Sequence, residues 1–307
     1  MNIVFMGTPY FAVPTLDKLL NSGHKVSAVV TATDKASGRG QKVRFSAVKK
    51  YAIKNNIPIL QPASLKSDEF RDDLLKLKSD IFIVVAFKIL PKKIFSIPQF
   101  GTINAHASLL PKYRGPAPIH WAIYHGETET GVTTFIIDKK VDTGKILLQK
   151  KIPILREDNV GTMYDKLEKL SADAIIETIE NLDNLKPIFQ DNKLATKAPK
   201  IKTEMGKINF NNTGEQIINQ IRAFTPSPGA YTFLDENRLK IIDADFETYS
   251  DVTVGEVKKI SKKQFGIGCK DGMILPTKIQ QAGKRKMDSV DFMNGFDINK
   301  IERIKDE

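Results

Sequence analysis

Three polar side chains of the sequence stand where they could act together on one carbonyl group. Asn104 and His106 lie two residues apart at the end of a predicted strand, 101–104, and side chains at this spacing on a strand face the same side. Asp142 follows a second predicted strand, 133–137. Open parallel sheets hold their active clefts at the carboxyl ends of strands, so the sequence predicts that an amide, an imidazole and a carboxylate converge there.

This combination predicts acyl transfer by direct attack on an activated carbonyl. The Asn104 amide and a protonated His106 can stabilise the oxyanion that develops, while Asp142 holds the imidazole and helps to remove the proton of an attacking amine. No covalent intermediate on the enzyme is required.

Two other chemistries fit the sequence less well. Ser108 lies two residues after His106, and no G-x-S-x-G turn is present, which argues against a Ser-His-Asp hydrolase. The other three histidines show no metal-ligand spacing, and the one cysteine, Cys269, cannot build a cysteine zinc site, so no metal is expected. A simpler alternative, in which His106 is a structural residue at a strand end, stays open on the residues alone.

The first part of the chain alternates predicted strands and helices. A strand at 2–6, a helix at 11–20 and a strand at 26–31 form a βαβ unit, which implies a parallel sheet. The run 81–86 is apolar without alternation, as in a strand that is covered on both faces. The predicted fold class is α/β, with a Rossmann-like, mostly parallel open sheet.

A dinucleotide is not expected, because the turn at 7–12 has one glycine where the fingerprint has three. The other predicted elements are a strand at 58–60 and helices at 45–55, 68–78 and 161–181.

The character of the sequence changes after residue 185. A polar stretch interrupted by proline predicts a linker, 189–205, between a catalytic domain, 1–188, and a C-terminal domain, 206–307. The C-terminal domain has a predicted helix, 214–224, and then short β runs separated by Gly and Asp, which predict a small antiparallel β-barrel of the OB type. These predicted strands are 231–233, 239–242, 252–257, 266–268 and 273–275.

The chain has 307 residues and a formal net charge of +11, which suggests an anionic partner. Seven lysines and arginines against one aspartate fall between residues 34 and 54. The lysines at 49–54 are equally consistent with a solvated helix face, but 35–44 includes the glycine-containing run 37–40 and predicts a basic loop. Since no long apolar segment or signal-type N-terminus is present, a cytoplasmic protein without a membrane partner is expected.

Two motifs of the sequence resemble those of the folate-dependent formyltransferases. The run 104–111 has the family's N-x-H-x-S-L-L-P pattern, and 141–144 has its D-T-G pattern. Both occur at the family's spacing, and the likeness covers essentially the whole chain. It implies a Rossmann-like catalytic domain and a C-terminal barrel that helps to hold tRNA. Further matching runs are 7–9, 38–40, 113–115, 198–200 and 221–224.

The resemblance also implies functional residues and ligands. The family's catalytic trio falls on Asn104, His106 and Asp142. The implied formyl donor is 10-formyltetrahydrofolate, and the implied acceptor is the amino group of initiator methionyl-tRNA. The implied folate-binding residues are Ser108, Leu109, Leu110, Pro111, Ala86, Phe87 and Leu90. The implied tRNA-binding residues are Arg39, Lys42, Arg44 and Arg222.

The acceptor substrate is a separate question, because relatives with the same trio modify glycinamide ribonucleotide or amino sugars on nucleotides. The basic loop at Arg39 favours tRNA, since guanidinium and ammonium groups on a loop suit phosphate contacts and a small sugar does not need them. A sugar-nucleotide formyltransferase is the alternative within enzymes, and a non-catalytic RNA-binding protein is the alternative outside them. No heptad seam is present, so a monomer is expected.

Overall fold

The computed structural model describes residues 1–37 and 42–304, which fall into two compact units. The first unit comprises Met1–Pro118, Glu129–Ile152 and Tyr164–Ala198. The second comprises Ile119–Thr128, Pro153–Met163 and the chain from Pro199 onwards. The chain passes from one unit to the other five times, and the last passage, from Ala198 to Pro199, lies inside the segment 189–205. The predicted domain limits themselves stay a prediction.

The first unit is built on a seven-stranded sheet, and the α/β fold class is confirmed. The strands of this unit are β1 (Asn2–Gly7), β2 (Lys25–Val30), β3 (Lys35–Ser37), β4 (Lys42–Arg44), β5 (Ile59–Leu60), β6 (Ile81–Val85), β7 (Thr102–His106), β8 (Glu129–Ile136) and β9 (Ile146–Pro153). The strand order in the sheet is β5-β2-β1-β6-β7-β8-β9; the first five strands in this order run parallel, and β8 is antiparallel to β7.

The apolar runs of the sequence lie at the centre of this sheet. All five residues of β6 are buried, as its uninterrupted apolar sequence predicts. Burial of each such side chain contributes about 1.5–3 kcal/mol to the free energy of unfolding. The neighbouring strand β7 lies beside this buried strand and is held in place by it. The helices up to residue 180 are α1 (Val13–Leu20), α2 (Ala47–Lys54), α3 (Asp68–Lys76), α4 (Lys92–Phe95), α5 (Pro118–Tyr124) and α6 (Val160–Glu180).

The basic segment near residue 40 contains a short antiparallel β-hairpin where a loop is predicted. Strands β3 and β4 pair with Lys35 opposite Arg44 and Ser37 opposite Lys42. Arg39, which the resemblance places against tRNA, lies outside the described residues.

The second unit contains an antiparallel sheet that curls as a half-barrel, so the predicted antiparallel barrel type is confirmed. The order is β10-β11-β14-β13-β12, with β15 paired to β14. The predicted helix 214–224 is confirmed, and a reciprocal capping box between Thr213 and Gln216 begins it. The elements are α7 (Gly214–Phe224), β10 (Ala230–Leu234), β11 (Asn237–Thr248), β12 (Val257–Lys259), β13 (Phe265–Cys269), β14 (Gly272–Gln281), β15 (Met287–Asp288) and α8 (Ser289–Gly295).

One predicted strand of this unit is wrong. The run 252–257 is β-prone in sequence, but only Val257 of it belongs to a strand, β12. Gly255 has a φ of +81°, a left-handed conformation that interrupts an extended backbone.

Candidate active site

Asn104 and His106 project from β7 near the carboxyl ends of the parallel strands. Asn104 lies opposite Val84 of β6 and Phe135 of β8. It is half-buried, and no hydrogen bond joins its carboxamide to another described residue. Its NH2 group is therefore available to donate to a substrate oxygen.

The His106 side chain has one proton position fixed by its surroundings. The ring is buried, with 7% exposure, and its Nε2 lies 2.9 Å from the carbonyl oxygen of Tyr113. Because a carbonyl only accepts, Nε2 carries a hydrogen and donates it. The nitrogen left to exchange a proton with a substrate is Nδ1.

Asp142 is on the same side of the ring as this free nitrogen. Its Oδ2 lies 3.8 Å from Nδ1 of His106, which is too long for a direct hydrogen bond and short enough for an ion pair when the ring is protonated. The three residues Asn104, His106 and Asp142 thus belong to two neighbouring segments of the first unit, and their catalytic roles stay a prediction.

Two glycines allow Asp142 to reach this position. Asp142 itself has a φ of +55°, and its Oδ2 accepts a hydrogen bond of 2.9 Å from the N–H of Gly115. Gly115 has a φ of +128°, and a Cβ there would lie 2.6 Å from the carbonyl oxygen of Ala198. A Cβ on Gly144 would overlap the carbonyl oxygen of Ile136 at the end of β8. The D-T-G motif therefore requires its glycine for close approach of the two backbones.

The predicted folate segment is held by side chains from two other strands. The Thr133 hydroxyl donates to the carbonyl oxygen of Ser108 (2.6 Å) and accepts from the N–H of Leu110 (3.0 Å). Gln149 donates to the carbonyl oxygen of Leu110 at 2.8 Å.

The Ser108 hydroxyl donates to the carbonyl oxygen of Lys112 at 2.7 Å and is fully buried. Ser108 therefore holds a turn, as expected if it is not a nucleophile. The other members of the segment are Leu109, half-buried, Leu110, buried, and Pro111, half-buried.

The loop after β6 places apolar side chains beside the end of β7. Ala86 is exposed with a φ of +47°, Phe87 is half-buried, and Leu90 is 6% exposed within the hydrophobic cluster around β6. Ile89, in the same loop, is 76% exposed. Such a loop offers an apolar wall for a flat ring, and its contact with folate stays a prediction.

The predicted tRNA-binding residues differ in their surroundings. Arg44 is exposed at the end of the β3–β4 hairpin. Arg222 is half-buried on α7 and donates to the carbonyl oxygens of Asp158 (2.7 Å) and Leu155 (2.6 Å). Burial lowers the pKa of its guanidinium from the usual value. Arg222 thus holds α7 against residues 155–158 within the second unit, and its contact with RNA stays a prediction.

Several residues that shape the site carry no signal in a single sequence. The acceptor for His106 is the backbone of Tyr113, and the donor to Asp142 is the backbone of Gly115. Gln149 and Gln190 bind backbone carbonyls of the two motifs, yet each is an ordinary polar residue in sequence. Tyr113 and Gly115, which lie inside the matching run 113–115, could have been identified from a motif, but their backbone contacts could not.

Two kinds of feature are absent from residues 1–37 and 42–304. No group of three or more His, Cys, Asp or Glu side chains among them could hold a metal ion. Within the same ranges, no helix has the length and apolar character needed to cross a membrane.

Comparison with known proteins places these motifs in a family. A model described as "Formyl transferase" matches residues 1–179, and one described as "Formyl transferase, C-terminal domain" matches residues 200–297. A methionyl-tRNA formyltransferase from Caldanaerobacter subterraneus subsp. tengcongensis is 45% identical over 97% of this chain and 98% of its own.

Solved structures show a similar architecture. WlaRD, a sugar 3N-formyl transferase crystallised with dTDP and 5-N-formyl-THF, is 25% identical with a TM-score of 0.68 and covers 93% of this chain and 99% of its own. HypX from Aquifex aeolicus in complex with tetrahydrofolic acid is 18% identical with a TM-score of 0.64 and covers 95% of this chain. The chain spans only 46% of the length of HypX, and at that identity the likeness shows the fold alone.

Proposed function

The chain belongs to the formyl transferase family, and on this basis we propose that it transfers the formyl group of 10-formyltetrahydrofolate to the amino group of initiator methionyl-tRNA. The observation that carries the proposal is the 45% identity to a methionyl-tRNA formyltransferase over nearly the full length of both chains. The transfer gives N-formylmethionyl-tRNA, the substrate of translation initiation.

We propose that the reaction is a direct attack of the methionyl amine on the formyl carbon. The folate supplies the activated formyl group. Asn104 donates a hydrogen bond to the formyl oxygen as it becomes negative, and protonated Nδ1 of His106 donates a second one. The new C–N bond forms, the amine gives up one proton to Asp142, and this proton passes on to folate N10 as its bond to the formyl carbon breaks.

The proposed folate contacts are the held turn and the apolar loop. The turn is Ser108, Leu109, Leu110 and Pro111, whose backbone Thr133 and Gln149 fix by hydrogen bonds. The loop is Ala86, Phe87 and Leu90. Preformed walls of this kind reduce the ordering cost of binding.

The proposed tRNA contacts begin at the basic hairpin. Lys42 and Arg44 belong to strand β4, and Arg39 precedes them in sequence; positive side chains of this kind suit the phosphates of an acceptor stem. Arg222 is proposed as a further contact. A monomer in the cytoplasm is part of the same proposal; a solution mass near twice 34.4 kDa would contradict the monomer.

The acceptor is tested by offering the protein 10-formyltetrahydrofolate with either methionyl-tRNA or an amino-sugar nucleotide. Formylation of the methionyl amine is expected, with a kcat/KM far above that for the sugar. Transfer to the sugar alone would show that the chain is a sugar-nucleotide formyltransferase, and transfer to neither would favour a non-catalytic RNA-binding protein.

Arg39→Ala is expected to lower kcat/KM for methionyl-tRNA and to leave the KM for folate unchanged. The cation is proposed to contact phosphate and to do no chemistry, so its removal weakens RNA binding and flattens the log–log salt dependence by about 0.7–0.9. The measurement is the rate as a function of tRNA concentration at several salt concentrations. Lys66→Ala, which removes an exposed cation distant in sequence, is the control. An unchanged salt slope in Arg39→Ala would mean that the charge of Arg39 only aids solubility.

A further inference from the structure

The side chain of Gln190 lies between the two motifs that carry the proposed catalytic residues. Its Nε2 donates to the carbonyl oxygens of Asp142 (3.1 Å) and Gly144 (2.8 Å). Its Oε1 accepts from Nε (3.0 Å) and Nη2 (2.6 Å) of Arg114. One amide therefore joins the D-T-G segment to the loop that follows the N-x-H segment.

The position of the Asp142 carboxylate depends on its backbone. The residue has a φ of +55°, which is uncommon for a residue other than glycine, and its side chain is 12% exposed. Gly115 supplies the one hydrogen bond that its carboxylate receives among the described residues, apart from the longer ion pair with His106. The two bonds from Gln190 hold the backbone on either side of Thr143, so they fix the direction in which the carboxylate points.

Arg114, the partner of Gln190, is equally well held. Its Nη1 donates to Oδ1 of Asn192 at 2.9 Å. Its N–H donates to the carbonyl oxygen of Thr196 (2.9 Å), and its own carbonyl accepts from Ala198 (2.7 Å). Arg114 stands between Tyr113, whose carbonyl fixes His106, and Gly115, whose N–H binds Asp142.

The segment that carries Gln190 is itself anchored to the D-T-G side. Ile188 and Ile146 exchange two backbone hydrogen bonds of 2.8 Å, which pair this segment with the start of β9. Gln190 follows two residues later, so this pairing holds its backbone close to the D-T-G segment. The contact is therefore a fixed part of the first unit.

We propose that Gln190 is a positioning residue for formyl transfer, which sets the separation between the Asp142 carboxylate and Nδ1 of His106 by binding Asp142, Gly144 and Arg114 at once. The inference rests on the proposed function, since it assigns Gln190 an effect on that reaction. Gln190 touches no reacting atom and acts only through Asp142 and Arg114.

Gln190→Glu keeps the contact with Arg114 and removes the contact with Asp142 and Gly144. A glutamate keeps both bonds to Arg114 as an ion pair, but it presents an acceptor oxygen to the carbonyls of Asp142 and Gly144 in place of a donor. Displacement of the carboxylate by about 1 Å costs about 100-fold in rate. The expected result is a kcat lower by that factor with an unchanged KM for folate, together with faster hydrogen exchange at the amide of Gly115.

Gln220→Glu is the matched control. Gln220 also donates from Nε2 to two backbone carbonyls, those of Met205 (2.9 Å) and Lys207 (3.0 Å), but it lies in the second unit. Its replacement breaks the same kind of contact and is expected to lower the melting temperature without lowering kcat or changing exchange at Gly115.

Three outcomes would overturn the role of Gln190: an unchanged kcat in Gln190→Glu, an equal fall of kcat in Gln220→Glu, or unchanged exchange at Gly115. The wild-type rate with methionyl-tRNA, measured in the same series, tests the proposed function separately. If the wild type transfers no formyl group, the proposed function fails, and the exchange at Gly115 still decides whether Gln190 holds Asp142.

Discussion

Alanine in place of Asn104, His106 or Asp142 is expected to lower kcat by about 100- to 1,000-fold, and to change the KM for folate little. Each side chain is proposed to act on charge that develops as the amine adds to the formyl carbon, so its loss raises the free energy of the transition state more than that of the bound substrate. The measurement is single-turnover formylation of methionyl-tRNA alongside the melting temperature of each variant.

Asp142→Asn removes the negative charge of the side chain and keeps the hydrogen bonds that hold residue 142. An asparagine oxygen can still accept the 2.9 Å hydrogen bond from Gly115, and the backbone carbonyl can still accept from Gln190. The melting temperature should therefore stay near that of the wild type while kcat falls. Near-normal turnover in any of the four variants would remove that residue from the mechanism. A fall in melting temperature with normal turnover in His106→Ala would make the histidine structural.

Gly144→Ala is expected to lower the free energy of unfolding by about 1–3 kcal/mol. A methyl group there would overlap the carbonyl oxygen of Ile136, and this atom belongs to the backbone of β8 and cannot rotate away. The D-T-G segment must then shift and take Asp142 with it, so kcat should fall by about 100-fold as well. Thermal unfolding and single-turnover kinetics on the same preparation measure both effects.

Gly295→Ala provides the control for this substitution. No atom lies within 4 Å of a Cβ built on Gly295, so this methyl group should leave both stability and turnover unchanged. If Gly144→Ala matched Gly295→Ala in both respects, the close approach of the D-T-G segment to β8 would not be required for the reaction.

The elements with a strong local signal could be predicted from the sequence. β6 is predicted because its run of apolar residues is what a strand buried on both faces needs. The predicted helix 214–224 agrees with the observed Gly214–Phe224, whose start is fixed locally by the capping box of Thr213 and Gln216.

Elements that depend on a distant partner could not be predicted in the same way. β9 lies at the edge of the sheet, and its residues from Leu148 to Pro153 alternate between half-buried and exposed. Its sequence is mixed, and it forms a strand by pairing with β8. Strands β3 and β4 are three residues each and stabilise one another. The prediction at 252–257 failed because a single glycine conformation outweighed the β-prone side chains around it.

The same distinction holds within the candidate site. The side chains of Asn104, His106 and Asp142 could be selected from residue type and spacing. The groups that fix them could not, because they are backbone atoms of Tyr113 and Gly115, whose positions depend on loop conformation. Gln190 was missed because it lies 48 residues from Asp142 in sequence.

The fate of a radiolabelled formyl group tests the central claim most directly. The protein is mixed with methionyl-tRNA and 10-formyltetrahydrofolate labelled in the formyl carbon, and the reaction is quenched during the first turnover. The expected result is label on the amino nitrogen of methionine released from the tRNA, with none on the denatured protein at any time. Label held covalently by the protein would contradict direct attack, and methionine without label while the folate is consumed would contradict methionyl-tRNA as the acceptor.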